Sequence, residues 1–467
     1  MIEQLENILY PFVCKFNEYL SNYILVFLLI FVGLWYTFKT KFVQVRCFAE
    51  GFKSLFGRTS LFAKSDKGSM TSFQALATAI AAQVGTGTII GSSGAILIGG
   101  PGSIFWMWII AFLGMATIYA EATLAVETRI KNKNGDINGG PVYYILRAFK
   151  GNLGKFFAGF FAVAIILALG FMGCMVQSNS IAFSMQTAFG IPTWLFGIVL
   201  VIISALIFIG DIKRLASVTE KLVPIMAGLF IIGCLIILIV RIKYIPETFY
   251  MIFKYAFQPQ AILGGGFFAA FSAAVSQGAK RGLFANEAGL GSTPHAHALA
   301  DVKTPHEQGT IAMVGVFVDT FVIITLNALV IISTLYTPDG LLANGYFGSA
   351  AEILTKTNLV QTSFGLILGN SFGAMFIAIC LLFFGFSTIL SWNLFGKINM
   401  IYLCGEKNRK ISIKIYTILS LIFIMTGTLI SSDFVWELTD MFNNLMVIPN
   451  VMALFALTGL VLSLTKK

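Results

Sequence analysis

The chain reads as an all-α polytopic membrane protein. About eleven transmembrane helices are expected, ten of them in a five-plus-five inverted repeat with two broken helices, plus one extra N-terminal span. Three observations predict this. Of the 467 residues 57% are hydrophobic and 11% charged, with mean hydropathy +0.86, where a soluble domain would carry about 25% charged residues. Apolar runs near 20 residues or longer, the length a bilayer crossing needs, recur along the whole chain. Two of these runs are interrupted by glycine-rich turns in matching places of the two halves.

Taken in order, the spans fall at roughly 22–39, 71–99, 102–129, 154–189, 192–210, 217–240, 261–296, 309–336, 368–398, 411–430 and 441–464. The first lacks the short apolar core and cleavage site of a signal peptide and is read as retained. The fourth, seventh and ninth exceed what a straight crossing needs, which predicts tilt, kinks or extension into water. With the N-terminus outside, the inside segments hold 26 of the 31 Lys and Arg residues. The outside segments hold five: Lys15, Arg241, Lys243, Lys254 and Lys356. This bias predicts a multi-pass protein of the cell (cytoplasmic) membrane with its N-terminus outside and C-terminus inside. The net charge of +10 then belongs to loops on one side rather than to a nucleic-acid surface. Of the six cysteines only Cys14 falls outside, so no disulfide framework is expected.

Residues 1–69 form the first span and a linker, 70–243 the first five-helix repeat and 261–467 the second. Five is odd, so the second repeat enters the membrane from the opposite side. Inverted repeats, each with a discontinuous helix at mid-membrane, are a recurring architecture of secondary transporters.

The first break reads Gln83-Val84-Gly85-Thr86-Gly87-Thr88. Unwinding there exposes N–H groups at the start of the second half-helix, where an amino-acid carboxylate fits. Carbonyls closing the first half-helix, at Gln83 and Val84, face a cation. A plain packing kink is the competing reading. The second break is expected between Gly278 and Gly291; Gln277 stands at its entrance, and Lys280, Arg281 and Glu287 lie within it. Intramembrane charges pair or face a cavity, so Arg281 and Glu287 are expected to find partners on other spans. Glu121 and Asp319, in the third and eighth spans, are candidate partners of Arg281 in a cytoplasmic gate. For Asp319 direct cation binding is an alternative, and for both a structural hydrogen bond is a third reading.

In the ninth span, Ser387 and Thr388 offer hydroxyl oxygens that suit a hard cation, or bond back to their own helix. Trp392 follows one turn later and is placed to wall a small pocket. Gln177 and Asn179 put amides on a face of the fourth span, lining a pathway or bonding between helices. His295, His297 and His306 fall in a predicted cytoplasmic loop with nothing spaced to complete a metal site. No metal centre, cofactor or P-loop nucleotide motif is expected. Nor does any nucleophile or metal cluster suggest an enzyme.

Several longer runs are distinctive: Gly99-Gly100-Pro101-Gly102-Ser103-Ile104-Phe105-Trp106-Met107-Trp108, Gly114-Met115-Ala116, Ala120-Glu121 and Gly139-Gly140-Pro141. So are Arg281-Gly282-Leu283-Phe284-Ala285-Asn286-Glu287-Ala288-Gly289, Phe386-Ser387-Thr388 and Ile448-Pro449-Asn450. From about residue 25 to the C-terminus the chain resembles the alanine or glycine:cation symporter family, within the amino acid–polyamine–organocation fold group. The resemblance implies a sodium-coupled importer of small neutral amino acids. The broken helix at Gly85, Thr86, Gly87 and Thr88 would hold substrate with side chains such as Gln177, Gln277 and Trp392. Sodium, the co-transported ion, would sit between that helix and Ser387 and Thr388. Proton coupling on the same fold is the alternative. The family commonly has Asn where Thr88 and Cys174 stand, a small residue at Ser391 and Glu at Lys397, so the departures gather at the expected pocket.

Overall fold

The computed structural model describes residues 2–56, 69–132, 137–210, 212–257, 267–343 and 354–465. The predicted start of the seventh span, near Ala261, lies outside them. Among the described residues the fold is almost wholly helical; the exception is a two-stranded hairpin pairing Ile130–Lys131 with Ile137–Asn138, which the all-α expectation did not include. Among the described residues six helices are long and apolar enough to cross a membrane, or up to eight spans if each of two sharply bent pairs is one span. Three more of the predicted spans are shorter or less apolar helices: Val26–Lys39, Thr193–Phe208 and Phe267–Asn286. The last carries Lys280 and Arg281, which lower its hydropathy.

The first broken helix follows from local chemistry. Thr71 and Gln74 form a reciprocal capping box that starts Ser72–Gln83. The helix stops at Val84 and Gly85, restarts as a widened turn over Gly87–Gly91, and continues as Ser92–Gly99, with a 44° bend across the break. Gly100, at φ 74°, ends it ahead of Pro101.

The second break differs from expectation at one end. The helix Phe267–Asn286 runs straight through Gly278. A Cβ on Gly278 would lie 2.5 Å from the carbonyl oxygen of Ser103, so this glycine permits close helix packing rather than unwinding. The chain breaks instead after Asn286. Glu287, Gly289 and Gly291 adopt φ of 56°, 87° and 80°, and a short helix, Pro294–Ala298, follows. A parallel bridge then links Met70, just before the first broken helix, to Ala300, just after the second. The two discontinuous segments are thus anchored to each other at one end of the bundle.

Of the spans whose length predicts tilt, kinks or extension, the fourth is widened and the ninth is unbroken, while the eighth is widened without that expectation. Gly151–Phe189 is continuous but widened over Ile166–Gly173. Pro305–Tyr336 is widened over Phe317–Ile324, around Asp319. The ninth span is one 35-residue helix, Asn370–Cys404. The last begins at Ser432, earlier than predicted, contains Pro449 and turns by 62° after Ala456.

Candidate functional site

The two breaks meet in the core. Between them lies a cavity of about 40 Å³, lined by Gln83, Gly85, Gly87, Gln177, Phe284, Glu287, Trp392, Trp436, Asp440 and neighbours. A larger cleft of about 740 Å³, near Tyr143, Arg147 and Glu406, contains none of the expected residues and lies away from both breaks.

Gly85 and Gly87 face opposite surroundings. A Cβ on Gly85 would sit 2.5 Å from Thr388 Oγ1 and 3.3 Å from Gln177 Oε1; one on Gly87 would meet nothing within 4 Å, because Gly87 borders the cavity. The Thr86 N–H donates to Gln177 Oε1 at 3.1 Å, which fastens the unwound turn to the fourth span. Trp392 walls the cavity, pressed onto Gly173, and its indole N–H donates to Glu287 Oε1 at 2.8 Å. The other carboxylate oxygen of Glu287 accepts from the Ser292 hydroxyl.

Behind Gly85, Thr388 Oγ1 lies 2.7 Å from the Ala81 carbonyl oxygen and 3.0 Å from that of Phe384. Three oxygens of the kind a hard cation prefers thus converge at the end of the first half-helix.

Several expected residues are elsewhere. Ser387 reaches only the edge of this cluster: its hydroxyl donates to the shared Phe384 carbonyl at 2.9 Å and otherwise faces Met226 Sδ rather than the break, because it is one residue round the helix from Thr388. Thr86 is buried against Gly385 and contributes only its backbone. The Thr88 side chain turns from the cavity to the Gln83 carbonyl at 3.0 Å and Asp319 Oδ1 at 2.8 Å. Gln277 packs beside Gly99, at the far end of the second half-helix, since the helix is not broken at Gly278. The Gln83 side chain donates to the Asn286 carbonyl at 2.9 Å and ties the two breaks together. Val84 lies at the break but is not among the cavity-lining residues.

The expected gate is corrected too. Arg281 is not paired with Glu121 or Asp319. Its NH1 is 3.6 Å from Asp440 Oδ2, Lys280 Nζ is 3.3 Å from the same oxygen, and the Arg281 guanidinium lies over the Trp436 ring at 5.6 Å. Asp440 escaped notice because it stood one residue outside the predicted last span; an ionisable group within that helix would have flagged it. Glu121 instead accepts from the N–H groups of Gly289 and Gly291, both at 3.0 Å, and from Asn450 Nδ2 at 2.7 Å. It holds the second break in its left-handed geometry. Among the described residues no ion pair includes Glu121, Glu287 or Asp319.

Gln177 borders the cavity, whereas Asn179 bonds across to the carbonyls of Gly427 and Ile430. The histidines are buried rather than loop-exposed and do not converge. His295 contacts Ser292 and Asn399, and His297 contacts Gln308. His306 contacts Tyr119 and, at 3.6 Å, Glu50, tying the amphipathic helix Phe48–Phe56 to the start of the eighth span.

A discontinuous-helix cavity inside a multi-pass bundle defines a membrane transporter, and the comparisons agree. The structure of a manganese transporter from Eremococcus coleocola superposes with a TM-score of 0.52 at 14% identity, covering 87% of this chain and 82% of that one, a likeness of fold alone. The chain belongs to the sodium:alanine symporter family, whose model matches residues 6–467. It is 37% identical to the sodium/alanine symporter AgcS of Methanococcus maripaludis, over 96% of this chain and 95% of the relative. The same identity relates it to the probable sodium/glutamine symporter GlnT of Bacillus subtilis, over 96% and 88%. It is therefore an amino-acid transporter of the membrane.

Proposed function

We propose that this protein imports small neutral amino acids such as alanine or glycine together with sodium, by alternating access. The observation that carries this reading is the position of Gly85, between the cavity on one side and the Thr388–Ala81–Phe384 oxygens on the other. One turn of backbone then serves two ligands. A substrate carboxylate is placed beside Gly87, at the start of the second half-helix, where the dipole is positive. Sodium sits behind, on Thr388 and the carbonyl oxygens. Each ligand orders the same turn, so each lowers the cost of binding the other, which is the thermodynamic content of coupling.

The small volume favours a short side chain. Trp392, Phe284 and Leu290 wall the cavity and leave little room beyond a methyl group. Asp440, shared by Lys280 and Arg281, and the Trp436 ring close it towards the start of the last span. In the inside-C-terminus orientation that is the external side, so this gate is external where a cytoplasmic one was expected, and Lys280 and Arg281 leave the inside count of basic residues, which falls from 26 to 24. The two repeats would rock about the breaks.

The test is alanine uptake into proteoliposomes under a sodium gradient, with choline replacing sodium in the control. Uptake collapses in choline if the reading is correct. Uptake that survives the exchange and follows a pH step instead would replace sodium by protons as the driving ion.

A further inference from the structure

Away from both breaks, a different set of ligand-type side chains meets at the end of the bundle that carries the C-terminus. The short helix Val43–Arg46 ends at Cys47, and the amphipathic helix Phe48–Phe56 follows at once. That helix packs so closely on the eighth span that a Cβ on Gly51 would collide with the Thr310 carbonyl oxygen. The approach brings Cys47 and Glu50 against His306, at the start of Pro305–Val316. The sulfur of Cys47, a carboxylate oxygen of Glu50 and a ring nitrogen of His306 all lie within 4.8 Å of one another. Cys47 and His306 are buried, whereas the Glu50 side chain keeps 39% of its surface exposed. Spacing among the histidines gave no sign of this cluster, because its other two members come from the linker ahead of the first break.

A run of hydroxyls fixes which nitrogen of His306 carries the proton. The Thr465 hydroxyl donates at 2.8 Å to the Val461 carbonyl, which can only accept. The Tyr119 hydroxyl donates to Thr465 Oγ1 at 3.1 Å, and its oxygen lies 2.7 Å from His306 Nδ1. Each hydroxyl has one hydrogen, so the whole run is satisfied when Nδ1 carries the ring proton and donates to Tyr119. The neutral ring then turns the lone pair of Nε2 towards Glu50 Oε2, 3.6 Å away. Hydrogen bonds of this kind run at about 2.7–3.2 Å, so the two atoms are too far apart to share a proton. Tetrahedral zinc, with bonds of about 2.0–2.3 Å, puts neighbouring ligand atoms roughly 3.3–3.7 Å apart, which is the spacing found. A ligating histidine ordinarily donates its other N–H to an oxygen, as His306 does to Tyr119.

We propose that Cys47, Glu50 and His306 bind one divalent ion of the zinc class, with water in the fourth position on the exposed side of Glu50. Thiolate, imidazole and carboxylate are all zinc ligands, and a set that includes sulfur disfavours magnesium and calcium. In the inside-C-terminus orientation the site faces the cytoplasm, where a thiol stays reduced. None of the three ligands lines the cavity between the breaks, so the ion is resident and not cargo. Two ligands come from the linker that follows the N-terminal span and one from the eighth span. The metal therefore fastens that linker to the transport bundle, and it stabilises the folded chain by mass action.

Cobalt reports such a site directly, because a thiolate on tetrahedral cobalt gives a sulfur-to-metal charge-transfer band. Metal-free, reduced, full-length transporter in detergent should take up one cobalt per molecule, develop that band and lose it when zinc is added. Cys47→Ser should abolish the band, whereas Cys404→Ser, which alters a thiol outside the cluster, should leave it. Tyr119→Phe should weaken binding about 10- to 100-fold, the usual effect of removing the partner of a ligating histidine. Zinc should raise the melting temperature of wild type and not that of Cys47→Ser. If Cys47→Ser fails to fold, the partly exposed Glu50→Gln carries the same test, with the zinc-induced rise reduced or lost. A wild type that binds no cobalt, or a band that survives in Cys47→Ser, would overturn the proposal. So would a melting temperature that ignores zinc but falls in Glu50→Gln, since Glu50 would then be paired directly with a protonated His306.

Discussion

Gly85 and Gly87 are two residues apart, and the structure demands opposite consequences from the same added methyl group. In Gly85→Ala the new carbon would lie 2.5 Å from Thr388 Oγ1 and 3.3 Å from Thr388 Cβ, inside the usual limit of contact. Thr388 must withdraw, and its hydroxyl then loses the Ala81 and Phe384 carbonyls, now at 2.7 and 3.0 Å. Overpacking costs about 1–3 kcal/mol, and an orphaned buried carbonyl about 1–3 more. The sum is a large share of the roughly 5–15 kcal/mol that holds a typical domain folded. Gly87→Ala meets nothing within 4 Å, so the fold should be unharmed, and the better helix propensity of Ala adds up to about 1 kcal/mol. Its methyl group enters a cavity of about 40 Å³. At roughly 10–15 Å³ of such space per water, the methyl removes about one water's worth of room from three. Substrate then meets an overpacked site at about 1–3 kcal/mol, which is a KM raised roughly 5- to 150-fold. The assay pairs thermal unfolding in detergent, with and without sodium, against alanine uptake. Gly85→Ala should melt early and lose its sodium stabilisation; Gly87→Ala should melt normally and lose affinity for alanine. If Gly87→Ala transports with an unchanged KM, the cavity is not the substrate site.

The remaining expectations are compact. Asp440→Asn leaves Lys280 and Arg281, both largely buried, without their counter-ion. Breaking such a pair costs about 3–5 kcal/mol, so a cysteine introduced at Thr439 should react faster with an external impermeant thiol reagent; an unchanged rate would remove Asp440 from the gate. Glu121→Gln replaces two acceptors by one and turns an amide N–H towards Gly289 or Gly291, whose N–H groups now point at Glu121. A loss of about 2 kcal/mol is expected, seen as a lower melting temperature, and a wild-type melting curve would show that the second break is held by other contacts. At the opposite end from the cytoplasmic loops, Arg241 grips Asp339 with two nitrogens at 2.6 and 2.7 Å. That hydrogen-bonded pairing holds the Asp339 carboxyl well below its ordinary range. Because the folded value is the lower one, the stabilisation is present above about pH 4 and fades as pH falls below it. Asp339 is half exposed, so the effect should stay under about 1 kcal/mol. Asp339→Asn should flatten the acid limb of the melting curve slightly, and a limb identical to wild type would deny the pair any role.

What was legible in the chain follows the reach of local rules. The first break was visible because Gly85 and Gly87 interrupt an apolar run, a signal contained in five residues. The capping box at Thr71 and Gln74 lies at the predicted start of the same span. Gln177 and Trp392 were legible as polar or large groups in apolar helices. Partners were not. Asp440 pairs with Lys280 from 160 residues away, and nothing in spacing announces it. Gly278 looked like a hinge, but its glycine is explained by the carbonyl of Ser103 on another helix; a packing glycine and an unwinding glycine are the same letter. Ser387 and Thr388 looked equivalent, yet a 100° step round the helix sends one to a sulfur and the other to the break. Thr88 was assigned to the substrate because it belongs to the broken segment, and the widened turn over Gly87–Gly91 rotates it to the other side.

The electrostatics of the core bear on the ligands proposed for the first break. Glu121, Glu287 and Asp319 are all fully buried, and none is neutralised by a basic side chain among the described residues. Glu121 is met by two backbone N–H groups and an amide, which suits a permanent structural role. Glu287 has only an indole and a hydroxyl and borders the cavity, and Asp319 has only hydroxyls. Hydroxyls can rotate to offer lone pairs instead of protons, whereas backbone N–H groups cannot. The two carboxylates closest to the first break are therefore the two whose donors can step aside for a cation. Positive charge brought by the ammonium of the substrate and by sodium would complete this core, and neither alone would complete it. Under the proposed coupling, an amino acid without its ion, or the ion without its amino acid, would leave a carboxylate buried and only partly compensated, which would penalise closure with a half-loaded site and so oppose the leak that uncouples transport.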